Sequence, residues 1–340
     1  MKERLEEQVV NIFDEVKDCK TIGISGHVRP DGDCAGSCLG MALYLKKLLG
    51  EDVRVDVFLG DLSDSLRHNL IGQELVHWNY ETDVKAYDAF LCLDCEATRL
   101  GDAMDYFFKA KKRINIDHHQ SNARGSGQVN WVDPEASSTC ELCYRTMDPE
   151  KVDRDIATDL YIGIVTDTGL FQYSNTSPQT MEIAGKLMAT GFDHSDIARQ
   201  VFFEKNYVQQ QILGRALLES ILFMDGRCIV SMIDRKTMQF YKALSKDMDG
   251  IVSQMNSTEG VSCAIFMYEM EPLTYKVSLR SNGDVDVAKV AERFGGGGHK
   301  RAAGCTVNAP YHDIINNMSA LIAEQLRAKK TDDGEKTPND

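Results

Sequence analysis

Carboxylate and imidazole side chains recur in the first half of this sequence at the ends of apolar runs. The stretch "GHVRPDGDC" carries His27, Asp31 and Asp33; Pro30 and Gly32 between them favour a tight turn that lets such close neighbours converge. "CLDCE" carries Asp94, "INIDHHQSN" carries Asp117, His118 and His119, and "GIVTDTG" carries Asp167 in an otherwise apolar run, where an unpaired carboxylate is costly to bury. Four aspartates converging with two histidines would repel one another, and divalent cations would relieve that repulsion. Mixed carboxylate and imidazole ligation suits manganese, with zinc and iron also compatible. Two cations about 3.5–4 Å apart, sharing a bridging carboxylate, clamp a phosphoryl group and activate water. Taken singly, each residue has a plainer reading: Asp33 as a helix N-cap, Asp94 as a turn residue, His27 as a satisfied core histidine.

The adjacent histidines follow a run whose apolar/polar alternation predicts a strand. Successive side chains on a strand point to opposite faces. His118 and His119 are therefore expected to have different roles rather than to serve one ion alike.

The elements that must position these groups alternate between strand and helix patterns. "TIGISGH" (21–27) precedes "DCAGSCLGMALYLKKLLG", a helix with Asp33 near its start and Gly50 at its stop. Strands follow in "DVRVDVFLG", "AFLCLD" and "RINIDHH", with a helix near 99–111 and a further strand in "GQVNWVDP". This β-α-β rhythm predicts a mostly parallel, helix-covered sheet. In such sheets ligands sit beyond the carboxyl ends of the strands, where His27, Asp94 and the 117–119 group fall. From about 135 to 223 the pattern is helical, ending with "YVQQQILGRALLESILF" as a helix leading out of a first domain. Strand patterns return from Arg227 in a smaller α/β unit, closed by a helix near 310–328.

Within that second unit "VSLRS" places Arg280 and Ser281 at a strand end, where a guanidinium can grip a terminal phosphate. "FGGGGHKRAAG" offers Gly297 and Gly298 for close backbone approach to an anion, with donors from His299, Lys300 and Arg301. A helix is expected to begin near His299 and add its positive end. The plainer reading is a flexible turn.

The 340 residues are 43% hydrophobic, enough for two cored domains. A net charge of −14 argues against broad duplex binding through many phosphate contacts. The first residues, "MKERLEEQVVNIFDEV", have an amphipathic helix pattern without a signal-peptide core, and no apolar run approaches the ~20 residues of a spanning helix. The expectation is a cytoplasmic protein with no membrane partner. Ten cysteines include Cys92/Cys95 and Cys140/Cys143, two C-x-x-C pairs that could imitate a zinc site. They lie in a buried-strand and a helix pattern, not on the turns of a zinc ribbon, so small core residues are the better reading.

In order, "HVRPDGD", "LCLD", "IDHH" and "GIVTDTG" resemble the motifs of the DHH phosphoesterase superfamily, and "VSLRS…FGGGGHKRAAG" resembles its DHHA1 substrate-binding domain. The likeness spans about 20–325 and is greatest for the branch that degrades nanoRNA and dephosphorylates 3′-phosphoadenosine 5′-phosphate (pAp). It implies an α/β fold with the active site in the cleft between a DHH catalytic domain (1–205) and a DHHA1 domain (226–328). A helical linker (206–225) would join them, and a disordered tail (329–340) would follow. It implies that His27, Asp31 and Asp94 hold one manganese and that Asp33, Asp94, His118 and Asp167 hold the second, with Asp94 bridging. Magnesium, cobalt or another divalent ion could substitute. A hydroxide between the ions would be the nucleophile. His119 would face the substrate phosphate as a catalytic group, and Asp117 would orient a histidine. Arg280, Ser281, Gly297, Gly298, His299 and Arg301 would bind substrate. The substrates implied are short RNA oligonucleotides or mononucleotide bisphosphates, with a homodimer common among similar proteins. The alternatives are a cyclic di-AMP or linear diadenylate phosphodiesterase, a non-catalytic nucleotide-binding protein and a cysteine-based structural metalloprotein.

Overall fold

Five short runs, Thr21–Ser25 (β1), Arg54–Phe58 (β2), Ala89–Leu93 (β3), Lys112–Asp117 (β4) and Val129–Val132 (β5), pair in the order β2-β1-β3-β4-β5. Every neighbouring pair is parallel. β3 is buried along its whole length, and its side chains alternate between two cores. Ala89, Leu91 and Leu93 join the core shared with the helices Gly32–Leu49, Thr139–Thr146 and Arg154–Asp167; Phe90 and Cys92 pack with Phe58, Tyr87 and Phe107. A strand covered on both faces has no polar side, which is why its sequence is continuously apolar. The order reverses between β1 and β3, so their carboxyl ends open the crevice in which a ligand can sit. The structure, a computed structural model, describes residues 11–334. Of the amphipathic pattern at the start, residues 1–10 lie outside the described part, and Ile12–Val16 form a helix.

The first unit ends at Glu204 and the second begins at Lys205. In the second, Ile221–Phe223 (β6), Cys228–Ile233 (β7), Cys263–Glu271 (β8), Thr274–Ser281 (β9), Gly297–His299 (β10) and Ala302–Asn308 (β11) form a sheet ordered β10-β11-β9-β8-β7-β6. β7 and β8 run parallel; the other neighbours are antiparallel. One face packs Ile265, Val277 and Leu279 against Ile314, Met318 and Ile322 of the helix Tyr311–Gly334; the other packs Ile229, Ala264 and Phe266 against Ile212, Ala216 and Met255.

Three expectations change here. The segment 206–225 is not a separate linker: the helix Tyr207–Leu218 packs Ile212 and Ala216 into the second unit's core, and the expected helix through 223 ends at Leu218 because Ile221–Phe223 pair with β7. The final helix runs to Gly334, into the stretch expected to be a disordered tail, and 335–340 lie outside the described residues. No helix starts at His299. Gly297–His299 instead pair with Ala302–Gly304 in a tight hairpin. A Cβ on Gly296 would lie 2.2 Å from the Gly304 carbonyl oxygen, and one on Gly298 (φ +146°) 2.5 Å from that of Ala302. Close strand approach is what these glycines permit. Among the described residues no helix is long and apolar enough to cross a membrane.

Candidate metal centre

The helix Gly32–Leu49 begins directly beyond β1, and its N-cap is Asp31, whose side chain accepts from the Cys34 amide at 3.0 Å. Asp33 is therefore not the cap. It lies inside the first turn, 1% exposed, and needs partners elsewhere. It finds them in the Thr139 and Cys140 amides, which donate to Oδ2 and Oδ1 at 2.7 and 2.8 Å. Close helix packing makes this reach available. Gly32, Gly36 and Gly40 line the side of their helix that meets Arg154–Asp167; a Cβ on Gly32 would lie 2.3 Å from Thr166 Oγ1 and one on Gly36 2.4 Å from the Asp159 carbonyl oxygen. That contact brings Asp167, at the end of its helix, toward Asp33.

Asp94 occupies the centre. It follows β3 with φ +61°, a left-handed conformation that costs an L-residue about 1–2 kcal/mol. Its amide is tied to the Ile116 carbonyl at 3.0 Å. One carboxylate oxygen, Oδ2, lies 3.4 Å from His27 Nε2, while Oδ1 lies 3.6 Å from His118 Nε2. His27 Nε2 is also 3.8 Å from Asp31 Oδ1. His118 Nε2 is 3.8 Å from Asp33 Oδ2 and 3.7 Å from Asp167 Oδ2. These separations exceed hydrogen-bonding distance. The ligand atoms of Asp33, His118 and Asp167, and those of Asp94, His118 and His119, lie within 4.8 Å of one another, close enough to hold a cation; Asp31 falls outside such a group.

β4 ends at Asp117, so both histidines lie beyond the strand. Strand alternation therefore does not govern them. Rather than facing opposite sides, their rings stand 4.7 Å apart, each with a nitrogen 3.6 Å from Asp94 Oδ1. Their partners still separate them. His119 Nδ1 lies 2.7 Å from Asp117 Oδ1, and His118 Nδ1 faces the Ala136 carbonyl at 3.4 Å. Asp117 is fully buried and also accepts from Asn122 Nδ2 at 2.7 Å. Burial works against its charge, but the bonds from His119 and Asn122 outweigh it and hold its pKa below the ordinary value. The same Asp117 bond raises His119's pKa.

The centre is electrostatically frustrated as a set of bare carboxylates. Burial, then Asp33 and Asp31, push Asp94 well above the usual carboxylate range, and burial followed by Asp33 pushes Asp167 up to about 7. Among the described residues, the ion pairs of Asp31, Asp33, Asp94 and Asp167 are all with histidines. Oxygen and imidazole donors so arranged fit divalent cations, whose charge inverts this pKa logic.

Sequence reading missed several positioning groups. Asn115, pointing off β4, donates to the Cys92 and Cys95 carbonyls at 2.9 and 3.0 Å and accepts from Asn122 at 2.8 Å, which links β3 to the Asp117–His119 pair. It stands at a polar position of the alternating run "RINID", which does not mark it as buried. Thr139 is the other omission, marked by no motif. Cys92, Cys95, Cys140 and Cys143 are all buried.

The remaining candidates lie in the second unit. Pairing aligns His299, Ala302 and Arg280 across β10, β11 and β9, so the three share one face with small Ala302 in the middle. Arg280 Nη1 donates to the Leu279 carbonyl at 3.0 Å. Ser281 is turned to structure: it is buried, and its hydroxyl accepts from the Gly283 and Val285 amides. The Arg301 guanidinium lies over Gly283, with Nε 3.3 Å from where a Cβ would be. Gly297 and Gly298 are exposed on the hairpin.

Residues 21–164 match the DHH family, N-terminal domain, and residues 225–328 match the DHHA1 domain. The chain belongs to the DHH/DHHA1 phosphoesterase family and is a hydrolase. More particularly, it is similar to the bifunctional oligoribonuclease and PAP phosphatase NrnA of Thermus thermophilus, with 30% identity over 291 residues covering 84% of each chain. The Bacillus subtilis protein of the same name is 27% identical over 293 residues, covering 84% of this chain and 89% of that one. The crystal structure of an exopolyphosphatase-related protein from Bacteroides fragilis has the same fold, with a TM-score of 0.84 at 23% identity over 97% of this chain and 100% of that one.

Proposed function

We propose that this protein is a manganese-dependent phosphohydrolase that degrades short oligoribonucleotides and removes a phosphate from pAp. The observation that carries this reading is Asp94, whose two oxygens face two different histidines, each with its own further carboxylates. On this reading His27, Asp31 and Asp94 hold one cation, and Asp33, Asp94, His118 and Asp167 hold the second. When bound, the cations supply an acidified water as nucleophile and positive charge for the phosphoryl oxygens.

The chain's own groups do the rest. An ionised Asp117 can only accept, so the His119 proton sits on Nδ1 and Nε2 points away from that bond. His119 is 37% exposed against 14% for His118, so it is the histidine a phosphate can reach. On this reading a protonated His119 donates to the phosphoryl group and supplies the proton for the leaving oxygen. In the second unit, Arg280 and His299 flank Ala302 about 10 Å apart, two strand spacings, and offer donors to a terminal phosphate of the nucleotide. Gly297 and Gly298 belong to β10, and Arg301 lies in the turn that joins it to β11. The negative net charge of −14 favours short substrates over long polyanions.

The test is a turnover comparison of a diribonucleotide, pAp and cyclic di-AMP on one preparation, with manganese supplied. Fastest cleavage of the first two is expected. Cyclic di-AMP cut fastest would replace this reading with a diadenylate phosphodiesterase.

A further inference from the structure

We propose that the segment leading into the helix Thr139–Thr146 is a positioning device for the second cation site, with Thr139 as its central residue; this rests on the two-cation reading above. Thr139 is fully buried. Its hydroxyl donates to Asp94 Oδ1 at 3.0 Å while its amide donates to Asp33 Oδ2 at 2.7 Å. One residue thus grips two carboxylates from different elements, and both of them lie against His118 Nε2, at 3.6 and 3.8 Å.

The same short segment reaches the rest of that ligand set. The Ala136 carbonyl faces His118 Nδ1. The Ser137 carbonyl accepts from Asn175 Nδ2 at 2.9 Å, and that amide group also donates to the Asp167 carbonyl at 3.2 Å. Asp33, Asp94, His118 and Asp167 come from four separate places in the chain, yet all are referenced to residues 136–140. The segment is itself braced. Glu141, 1% exposed, accepts from Ser137 Oγ and Thr180 Oγ1 at 2.7 Å each, and Ser138 caps the helix by accepting from the Glu141 amide at 3.1 Å.

Each contact has a distinct physical consequence. The terminal torsion of an aspartate is broad, so nothing in Asp94 itself fixes which oxygen faces which side. The Thr139 hydroxyl occupies one lone-pair direction on Oδ1 and leaves Oδ2 turned to His27. The first amides of a helix lack intrahelical partners and carry its positive end, so Thr139 and Cys140 hold Asp33 by both oxygens. Groups that orient a metal ligand typically change affinity or activity 10- to 100-fold when lost.

The experiment compares wild type, Thr139→Ser, Thr139→Val and the smaller Thr139→Ala. Manganese binding is followed by calorimetric titration and by the electron-spin coupling between bound ions, with kcat, KM and thermal melting measured in parallel. Both variants keep the two amides; valine replaces the hydroxyl with a methyl of similar size, and alanine removes the hydroxyl together with the γ-methyl. Both are expected to bind the second ion about tenfold or more weakly, to lose spin coupling, and to lower kcat with KM nearly unchanged. Serine is expected to restore all three. Wild-type binding and coupling in the valine or alanine variant would overturn the positioning role and leave the two-cation reading standing, as would a serine variant as impaired as valine. Wild type binding fewer than two ions would overturn the two-cation reading itself.

Discussion

His119 Nδ1 lies 2.7 Å from Asp117 Oδ1, closer than any other histidine–carboxylate contact in the centre, where the separations are 3.4–3.8 Å. A hydrogen bond of that length spends the Nδ1 of His119 on Asp117, whereas His118 keeps its Nε2 among three carboxylates. The neighbouring rings therefore have unequal surroundings. His118→Ala is expected to lose bound manganese. His119→Ala is expected to keep it and to lose about a hundredfold or more in kcat. Metal content after gel filtration, measured beside turnover, checks both; manganese lost from the His119 variant and kept by the His118 variant would reverse the assignment.

Asp94 tests the sharing of one carboxylate. Asp94→Asn preserves shape but puts an amide nitrogen, a donor only, where one oxygen faces a histidine. If both sites draw on this residue, both ions weaken together. Asp31→Asn, whose side chain faces His27 alone among the histidines, is expected to weaken one. Stoichiometric titration with manganese reads the difference. An Asp94→Asn protein that still binds one ion tightly would show that the carboxylate does not bridge.

Much of the first sheet was legible because chemistry and periodicity coincide. The run "AFLCLD" is apolar on both alternations since β3 is covered on both faces, and its polar terminus is Asp94 at the crevice. Less legible was anything set by close approach between distant segments. Alternation alone put His118 and His119 on opposite faces, because nothing local marks Asp117 as the last paired residue of β4. Four glycines before His299 read as an anion loop; that Gly296 and Gly298 must also clear backbone oxygens follows from a hairpin that only pairing defines. Thr139 carries no pattern of its own; its partners are 45 and 106 residues away in sequence.

Gly163 offers a test of that close approach. A Cβ there would sit 2.1 Å from Cys140 Sγ and 3.0 Å from Asp33 Oδ1. Gly163→Ala must push the start of the Thr139–Thr146 helix away, with an overpacking cost of about 1–3 kcal/mol. Adding Cys140→Ala removes the nearest atom and is expected to recover most of that loss in urea denaturation midpoints. Equal destabilisation in single and double variants would mean that the sulfur is not what the glycine accommodates.

Asp159 carries a pH dependence separate from the metal centre. It is fully buried on the helix Arg154–Asp167; Oδ1 accepts from the Ile71 amide at 2.8 Å, and Oδ2 has no hydrogen-bond partner. Burial pushes its pKa well above the usual carboxylate range, with the Ile71 bond opposing. The folded chain therefore binds a proton that the unfolded chain releases near pH ~4. The contribution of Asp159 to stability is then fully present below the unfolded value and is lost as pH rises toward the folded pKa, by at most about 1.4 kcal/mol per pH unit. Asp159→Asn keeps the acceptor for Ile71 and cannot ionise, so its unfolding free energy is expected to lack this decline. Urea titrations of both proteins at rising pH above the unfolded value should diverge, the wild type losing ground. Parallel profiles would mean that Asp159 stays ionised in the fold and that Oδ2 has found a partner.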